Sequence, residues 1–190
     1  MQARLSAEVD KRDKLEQQGR RWQVEISGLK HYEGEPNCCK SVVTKIASLM
    51  KKDNQNIVFD VQDVGIAHRT YNKSNIIVQF SSRTARNIFF NARFSLKNIR
   101  PEQVSVQYLG KGLDFIFVNE VLSFDRRELM FKVRAFCKTH GVSGVRVEKG
   151  FIKIFDKKLN IDTLIKDDGD LVRFRHRFTD QNFKRGPHGY

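Results

Sequence analysis

The chain has 190 residues, which is enough for one large domain or two small ones. Lys and Arg outnumber Asp and Glu by 35 to 22, and the resulting net charge of +13 favours a polyanionic partner. Hydrophobic residues make up 39% of the chain, which excludes a wholly disordered protein, and no apolar run reaches the ~18 residues that a membrane span needs.

Cysteine usage and the N-terminal residues indicate the compartment. The three cysteines, Cys38, Cys39 and Cys137, are an odd number with two adjacent members, which does not resemble a secreted disulfide framework. Residues 1–20 are too highly charged for a signal peptide. We therefore expect an intracellular protein of the cytoplasm, the nucleus or both, without a membrane partner.

Residues 1–20 predict a polar helix, because they are rich in Glu, Lys, Arg, Gln and Ala and contain no Pro. Their apolar positions do not sustain a heptad over the three or four repeats that establish a coiled coil. The segment is therefore either a solvated terminal helix or the end of a coiled coil through which copies of the chain self-associate.

In residues 21–110, apolar residues alternate with polar ones in several stretches and recur at helical spacing in two others. Ser82 is a suitable N-cap for the second predicted helix. The element order is β-α-β-β-α-β, the split βαβ arrangement in which two helices back a four-stranded antiparallel sheet. The predicted strands are 24–28, 61–69, 76–80 and 104–108, and the predicted helices are 39–50 and 82–96.

Residues 111–172 predict a smaller α+β domain, and residues 173–190 predict a loose basic tail because they are poor in aliphatic residues. The predicted elements of the smaller domain are a strand at 115–121, a helix that begins after Ser123, a hairpin around 148–150 and a short helix at 160–165. The whole chain is thus assigned to the α+β class.

The sequence carries no pattern that is typical of an enzyme. There is no Gly-x-Ser-x-Gly nucleophile motif, no phosphate-binding loop of the Gly-x-x-x-x-Gly-Lys-Ser/Thr type and no dinucleotide-binding fingerprint. The five histidines are scattered, and no Cys-x-x-Cys pair accompanies them. The acidic run at 167–170 lacks the spacing of a calcium-binding loop. We therefore expect no catalysis, no metal ion and no cofactor.

A four-stranded domain of the predicted topology is the framework of RNA-recognition modules, which stack unpaired bases on the open face of the sheet. Such modules carry aromatic residues on the two central strands, whereas this sequence has Glu25 on the first strand and Asn75 and Ile77 on the third. Ordinary base stacking on the sheet is therefore not expected, and basic residues have to supply most contacts with a nucleic acid.

Basic residues in both predicted domains are the candidate phosphate ligands. On the second helix, Arg86, Arg93 and Lys97 are expected opposite the apolar stripe, where a merely solvated face is the alternative. Arg69 ends a strand and has no acidic neighbour in the sequence. In the second domain, Arg126 and Arg127 could instead pair with acidic neighbours on their own helix, and Lys149 could instead serve the geometry of its turn. The candidates there are Arg126, Arg127, Arg146, Lys149 and Lys153.

Seven segments occur in an order and at spacings that resemble one protein family. They are RWQVEISGL at 21–29, IAHR at 66–69, IIVQF at 76–80, NAR at 91–93, FVNEVLS at 117–123, RREL at 126–129 and VRVEKGFIKI at 145–154. Together they resemble the RNA-binding protein that the first open reading frame of LINE-type retrotransposons encodes, and the related few-polyhedra (FP) proteins of baculoviruses. The similarity covers residues 21–170.

The resemblance implies a coiled coil, a non-standard RNA-recognition domain and a C-terminal domain, with single strands held between the last two. Residues 1–20 would correspond to at most the end of the coiled coil. Arg93 matches the arginine that follows the helix-end alanine in the family. The implied function is binding of single-stranded RNA or DNA, with RNA the first candidate, and a nucleic-acid chaperone role in a ribonucleoprotein.

Two other functions stay open on the sequence. A structural or oligomerisation protein of the FP type would have another protein as its partner. A metal-dependent nuclease would need a cluster of metal ligands or a general base, and the sequence shows neither at a suitable spacing.

Overall fold

The computed structural model combines helices with two antiparallel sheets, which confirms the α+β class. The chain divides into two compact units, unit 1 at Met1–Val121 and unit 2 at Leu122–Tyr190. Each unit has its own hydrophobic core. The residues that the structure describes are 2–53, 59–108, 114–142, 144–156 and 161–184.

Helix α1 covers Gln2–Gly19, where the sequence predicts a polar helix. Its apolar side chains Val9 and Leu15 are 41% and 61% exposed, so they contribute little to the core. Gln17 is buried, and its Nε2 donates a hydrogen bond to the Val121 carbonyl oxygen at 2.9 Å. This bond connects the first helix of unit 1 to the last residue of the unit.

Unit 1 contains one four-stranded sheet, formed by β1 (Gln23–Ser27), β2 (Val64–Arg69), β3 (Ile76–Phe80) and β4 (Phe117–Glu120). The strand order is β2-β3-β1-β4, and all neighbouring strands are antiparallel. Val24 on the central strand β1 lies opposite Val78 of β3 on one side and Glu120 of β4 on the other. Strand β4 is therefore an edge strand.

Two helices, α2 (Lys40–Asp53) and α3 (Arg83–Asn91), pack against this sheet. Ser82 caps α3 as predicted, because its side chain accepts a hydrogen bond from the Ala85 amide nitrogen at 3.0 Å. Helix α3 continues as a 3₁₀ segment, Ala92–Asn98. The most deeply buried side chains of the core include Val24, Val43, Ile46, Val78 and Phe89.

The prediction of a fourth strand at 104–108 is wrong. Pro101–Val104 forms the short helix α4, and Val106–Tyr108 forms a 3₁₀ turn. Pro101 favours this outcome because its fixed φ angle suits the first turn of a helix. The fourth strand is β4 instead, so unit 1 ends at Val121 and not at residue 110.

Unit 2 consists of α5 (Phe124–Thr139), β5 (Val145–Glu148), β6 (Phe151–Asp156), β7 (Ile161–Ile165) and α6 (Asp168–Lys184). The strands form an antiparallel sheet in the order β5-β6-β7. The predicted hairpin joins β5 to β6, and Lys149 and Gly150 have φ angles of 54° and 79°, as a type I′ turn requires. The core of unit 2 includes Leu129, Val133, Phe136, Ile152 and Ile154.

The prediction of a short helix at 160–165 is wrong, because Ile161–Ile165 is a β-strand. It pairs with β6, and Ile165 lies opposite Ile152. Three of its five residues are β-branched, which favours the extended conformation. Asn160, the expected cap of that helix, lies outside the described residues.

The prediction of a loose tail from residue 173 is also wrong, because residues 173–184 belong to α6. Leu171 and Phe174 lie on one side of this helix and are buried in the core. The Phe174 ring packs edge-on against Phe136, with 5.9 Å between the ring centroids. The remaining residues of the expected tail, 185–190, lie outside the described residues.

Candidate nucleic-acid interface

Arg69, a predicted phosphate ligand, is held in a buried ion pair. Its Nε and Nη2 donate hydrogen bonds to the two carboxylate oxygens of Glu35 at 2.9 and 2.8 Å, and its Nη1 donates to the Leu29 carbonyl oxygen. The side chains of Arg69 and Glu35 are only 8% and 1% exposed. Arg69 therefore ties the end of β2 to the loop after β1, and its donors are not open to a phosphate.

Tyr108 completes the Glu35 network, which consists of Glu35, Arg69 and Tyr108. The phenol oxygen of Tyr108 donates a hydrogen bond to a Glu35 carboxylate oxygen at 2.7 Å. Burial and this bond raise the pKa of Tyr108. Burial opposes ionisation of Glu35, but hydrogen bonds from Arg69 and Tyr108 outweigh it and hold the pKa of Glu35 below its ordinary value. The network joins three segments that are distant in sequence, which is a structural role.

Arg86 is expected opposite the apolar stripe of α3, yet it is only 9% exposed. Its Nη2 lies 3.3 Å from a Glu120 carboxylate oxygen, and its guanidinium carbon lies 4.3 Å from the centre of the Phe90 ring. Glu120 reaches α3 because β4 occupies the edge of the sheet next to β1. Arg86 is thus part of a buried ion pair, which contradicts the expectation of an exposed ligand.

Arg93 is half-buried between two aromatic rings. Its guanidinium carbon lies 3.9 Å from the centre of the Phe90 ring and 4.3 Å from that of Phe94, and its Nη1 donates to the Phe90 carbonyl oxygen at 2.7 Å. Burial lowers the pKa of Arg93, although the charge of Glu120 opposes this effect. No carboxylate among the described side chains forms an ion pair with Arg93. The two rings and the Phe90 carbonyl oxygen fix the position of Arg93, and the nearby charge of Glu120 acts on it without a direct ion pair.

An open cleft of about 460 Å³ lies between the 3₁₀ segment and β4 and is called the β4 cleft below. The predicted ligands Arg93 and Lys97 both line it. Three exposed aromatic side chains line it as well: Phe94, Phe115 and Phe117 are 69%, 43% and 48% exposed. The structure thus places two of the predicted cations in one cleft together with solvent-exposed aromatic side chains.

Arg100 extends the cation row beside the β4 cleft. Its guanidinium carbon lies 4.7 Å from the centre of the Phe115 ring, and its Nη1 donates to the Asp114 carbonyl oxygen at 2.9 Å. The sequence reasoning missed Arg100 and the three phenylalanines of the cleft. The available signal was the alternation Phe115-x-Phe117-x-Asn119, which reads as an exposed face only once 117–120 is recognised as an edge strand.

The open face of the central strands is polar. Asn75 Nδ2 donates a hydrogen bond to Glu25 at 2.7 Å, and the side chains of Gln23 and Gln79 meet at 3.4 Å. Ile77 lies opposite Glu25 and is half-buried. The outward positions of β1 and β3 therefore offer no aromatic ring to a base.

Arg126, Arg146 and Lys153 of unit 2 make local contacts. Arg126 Nη1 donates to the Gly150 carbonyl oxygen at 2.7 Å, which ties α5 to the hairpin. Arg146 forms an ion pair with Asp162, and Lys153 Nζ lies 2.6 Å from a Glu148 carboxylate oxygen. These contacts neutralise or occupy the cations on the strands, so the hairpin does not present a free basic patch.

The other two unit 2 candidates, Arg127 and Lys149, are exposed on α5 and on the hairpin turn. Lys149 occupies the left-handed position of the hairpin turn, which is the alternative that the sequence leaves open for it. Arg127 lies on the exposed side of α5, where Phe124 and Phe131 are 72% and 76% exposed. Unit 2 therefore carries a helix face that is both aromatic and basic.

No protein-family model matches this chain, and no curated protein matches it at a significant level. Within the described ranges, no three His, Cys, Asp or Glu side chains come close enough to hold a metal ion. Burial raises the pKa of the Cys39 and Cys137 thiols, which disfavours their nucleophilic thiolate forms. Across the helices that the structure describes, none is both long and apolar enough to cross a bilayer.

Proposed function

We propose that the protein binds single-stranded nucleic acid and that Arg93, Lys97 and Arg100 beside the β4 cleft hold its phosphates. The observation that carries the proposal is the state of Arg93. Its guanidinium is half-buried against the Phe90 and Phe94 rings, and no carboxylate among the described residues forms an ion pair with it, so its donors are poorly solvated in the free protein. A phosphate would supply that anion and could accept two parallel hydrogen bonds from the planar guanidinium.

The charge of both units supports a polyanionic ligand. Residues 1–121 contain 19 Lys and Arg against 13 Asp and Glu, and residues 122–190 contain 16 against 9. A nucleic-acid strand that contacts either unit is therefore attracted by an excess of positive charge. Each phosphate that a Lys or Arg neutralises releases condensed counterions, so this excess contributes to affinity for any sequence.

The strand order of unit 1 supports its interpretation as a non-standard RNA-recognition domain. The order β2-β3-β1-β4, with α2 and α3 packed against the sheet, is compatible with that domain type. The polar Glu25–Asn75 contact occupies the positions where such domains usually stack bases. The contacts with nucleic acid that we propose therefore lie at the edge strand β4 instead of on the central strands. The resemblance to the LINE and FP proteins, and with it a chaperone role in a ribonucleoprotein, belongs to this proposal.

We expect binding to labelled single-stranded RNA or DNA to weaken steeply with salt. For Z phosphate contacts the slope of log affinity against log salt is about −0.7Z for single strands, or about −2 if the three proposed cations each hold one phosphate. The measurement is a titration at several salt concentrations with a duplex of equal length as the comparison. A slope near zero, or no binding at low salt, contradicts the proposal.

We expect Arg93→Ala to weaken single-strand binding about tenfold or more, because a charge-assisted hydrogen-bonded pair contributes roughly 1.5–3 kcal/mol. Arg93→Lys should recover only part of the loss, since an ammonium lacks the planar fork. Stability should change by less than about 1 kcal/mol, because the lost aromatic contacts are offset by removal of a poorly solvated charge. Affinity and thermal unfolding are measured on the same preparations.

The matched control is Arg83→Ala, which removes an exposed arginine from the first turn of α3. That position is unfavourable for a cation beside the helix dipole and lies outside the β4 cleft. Affinity losses of equal size for the two variants, or a loss for Arg93→Ala that follows a lower melting temperature, would assign Arg93 a structural role.

A second candidate function is a scaffold that binds another protein, and the exposed face of α5 favours it. Phe124 and Phe131 lie two helical turns apart and are 72% and 76% exposed. Large exposed aromatic side chains on one face are common at protein interfaces. The salt titration separates the two functions, because a scaffold without affinity for nucleic acid gives no signal at low salt.

A further inference from the structure

We infer that the β4 cleft takes an unpaired nucleobase, so that this site holds the bases of a strand as well as its phosphates. The inference rests on the proposed function and adds the chemical class that enters the cleft. Its volume of about 460 Å³ falls within the roughly 300–1,000 Å³ of small-molecule pockets. The 3₁₀ segment contributes Arg93, Phe94 and Lys97 to its walls, and the segment at β4 contributes Phe115 and Phe117.

The aromatic rings are exposed and held in place before any ligand arrives. Phe94 is 69% exposed and has the Arg93 guanidinium 4.3 Å from its ring centre. Phe115 is 43% exposed and has the Arg100 guanidinium 4.7 Å from its centre. A flat base that stacks on such rings removes apolar surface from water, and every base has a suitable face.

The backbone position of this aromatic row is fixed at Gly28. Gly28 has a φ angle of 95°, and a Cβ at this position would stand 2.1 Å from the Phe115 carbonyl oxygen. The segment that carries Phe115 and Phe117 therefore lies directly against the end of β1. A site that is already formed in the free protein loses less conformational entropy when it binds.

The outer side of β4 offers hydrogen bonds to the edge of a base. Asn119 lines the cleft, is exposed and carries both a donor and an acceptor in its side-chain amide. Among the described strands, β4 pairs only with β1, so its other edge presents backbone N–H and C=O groups. The edge of a base is free for such bonds only when the base is unpaired, which favours single strands over duplex.

An extended peptide could also add to the open edge of β4, as peptides do on other sheet edges. The cations favour the nucleotide, because Arg93 and Lys97 line the same cleft and suit a phosphate next to the base. A peptide backbone has no charge that would use them. We therefore assign the cleft to a base with its phosphate, and the experiment below tests the peptide as the other occupant.

The experiment compares two oligonucleotides of equal length, one with all bases and one abasic with the same sugar–phosphate backbone. We expect the intact chain to bind the base-bearing oligonucleotide roughly tenfold more tightly or better, as one or more stacked bases would give. In Phe94→Ala/Phe115→Ala, which removes the two rings that the guanidinium groups contact, this preference should vanish, so that both oligonucleotides bind equally. Tyr71→Ala removes a fully exposed aromatic residue outside the cleft and should keep the preference.

Each outcome decides one point. Equal affinity of the intact chain for both oligonucleotides overturns the base pocket while leaving the phosphate-binding function in place. No binding of either one overturns the proposed function itself. A base preference that survives the double variant places the bases elsewhere and leaves the cleft to another occupant, such as an added peptide strand. If the double variant is unfolded by thermal denaturation, Phe94→Ala alone, at a 69% exposed position, carries the test.

Discussion

Glu35→Ala lowers the free energy of unfolding of unit 1 by about 3–5 kcal/mol, the range for breaking one side of a buried ion pair. The Glu35 side chain is 1% exposed and accepts hydrogen bonds from Arg69 and Tyr108. Its removal leaves the guanidinium of Arg69, which is 8% exposed, charged and without compensation. The effect is therefore mainly the penalty of an unpaired buried charge.

Urea unfolding at neutral pH measures this effect. Glu33→Ala is the control, because Glu33 is an exposed carboxylate in the same loop and should change stability by no more than about 0.5 kcal/mol. Adding Arg69→Met to Glu35→Ala should recover part of the loss, since the second change removes the unpaired charge. Equal stability of the Glu35 and Glu33 variants would mean that the Glu35 network contributes nothing to folding.

The pH dependence of the same variant follows from the pKa of Glu35. Burial alone would raise this pKa, but the hydrogen bonds from Arg69 and Tyr108 prevail and place it below the ordinary value of 4.5. A lowered carboxyl pKa stabilises the folded state above the ordinary pKa, and this contribution is lost as the pH falls through the folded-state pKa. The stability difference between the intact chain and Glu35→Ala should therefore narrow below about pH 4.5.

Gly28→Ala destabilises unit 1 by at least about 3 kcal/mol and displaces β4. A Cβ at Gly28 would stand 2.1 Å from the carbonyl oxygen and 3.1 Å from the carbonyl carbon of Phe115, and these are backbone atoms. The φ angle of 95° adds conformational strain for any L-residue with a side chain. Because the displaced segment carries Phe115 and Phe117, single-strand affinity should fall along with stability.

Gly34→Ala is the control that separates the steric clash of a Cβ with Phe115 from the backbone strain of a positive φ angle. Gly34 also has a positive φ angle, 80°, but a Cβ there would meet nothing within 4 Å. This variant should cost only the strain of about 1–2 kcal/mol and leave affinity unchanged. Urea unfolding and single-strand titration are measured for both variants. If Gly28→Ala costs no more than Gly34→Ala, the close approach of β4 to β1 is absent.

Local patterns predicted the elements whose signals are contained in a few neighbouring residues. The alternation in 76–80, the cap at Ser82 and the turn at Lys149 and Gly150 are of this kind. The fourth strand depends on a distant pairing, since β4 aligns Glu120 with Val24. Nothing near 117–120 shows that this strand returns to unit 1.

The candidate site shows the same limit. Arg69 ends a strand without an acid nearby in sequence, yet Glu35 reaches it from 34 residues away. Arg86 is covered because Glu120 lies on β4, a strand that the sequence predicts but assigns to the second domain instead of to the sheet of unit 1. Arg93 lies in the 3₁₀ segment after α3 and lines the β4 cleft, and its role as a ligand stays a prediction. The aromatic partners of Arg93 in the cleft were missed, since their exposure follows from the position of β4.

Contacts between the two ends of unit 1 determine the order in which its parts can form while the chain is being synthesised. The hydrogen bond from Gln17 to Val121 spans 104 residues, and β1 and its partner strand β4 are separated by a similar length of chain. At synthesis rates of roughly 5–20 residues per second, the ribosome needs about 5–20 s to add this stretch. Before β3 is synthesised β1 has no strand partner, and from then until β4 is synthesised one side of β1 is still unpaired. The β4 cleft is thus the last part of unit 1 to be completed, and a chain that is cut before residue 117 lacks the wall that β4 forms.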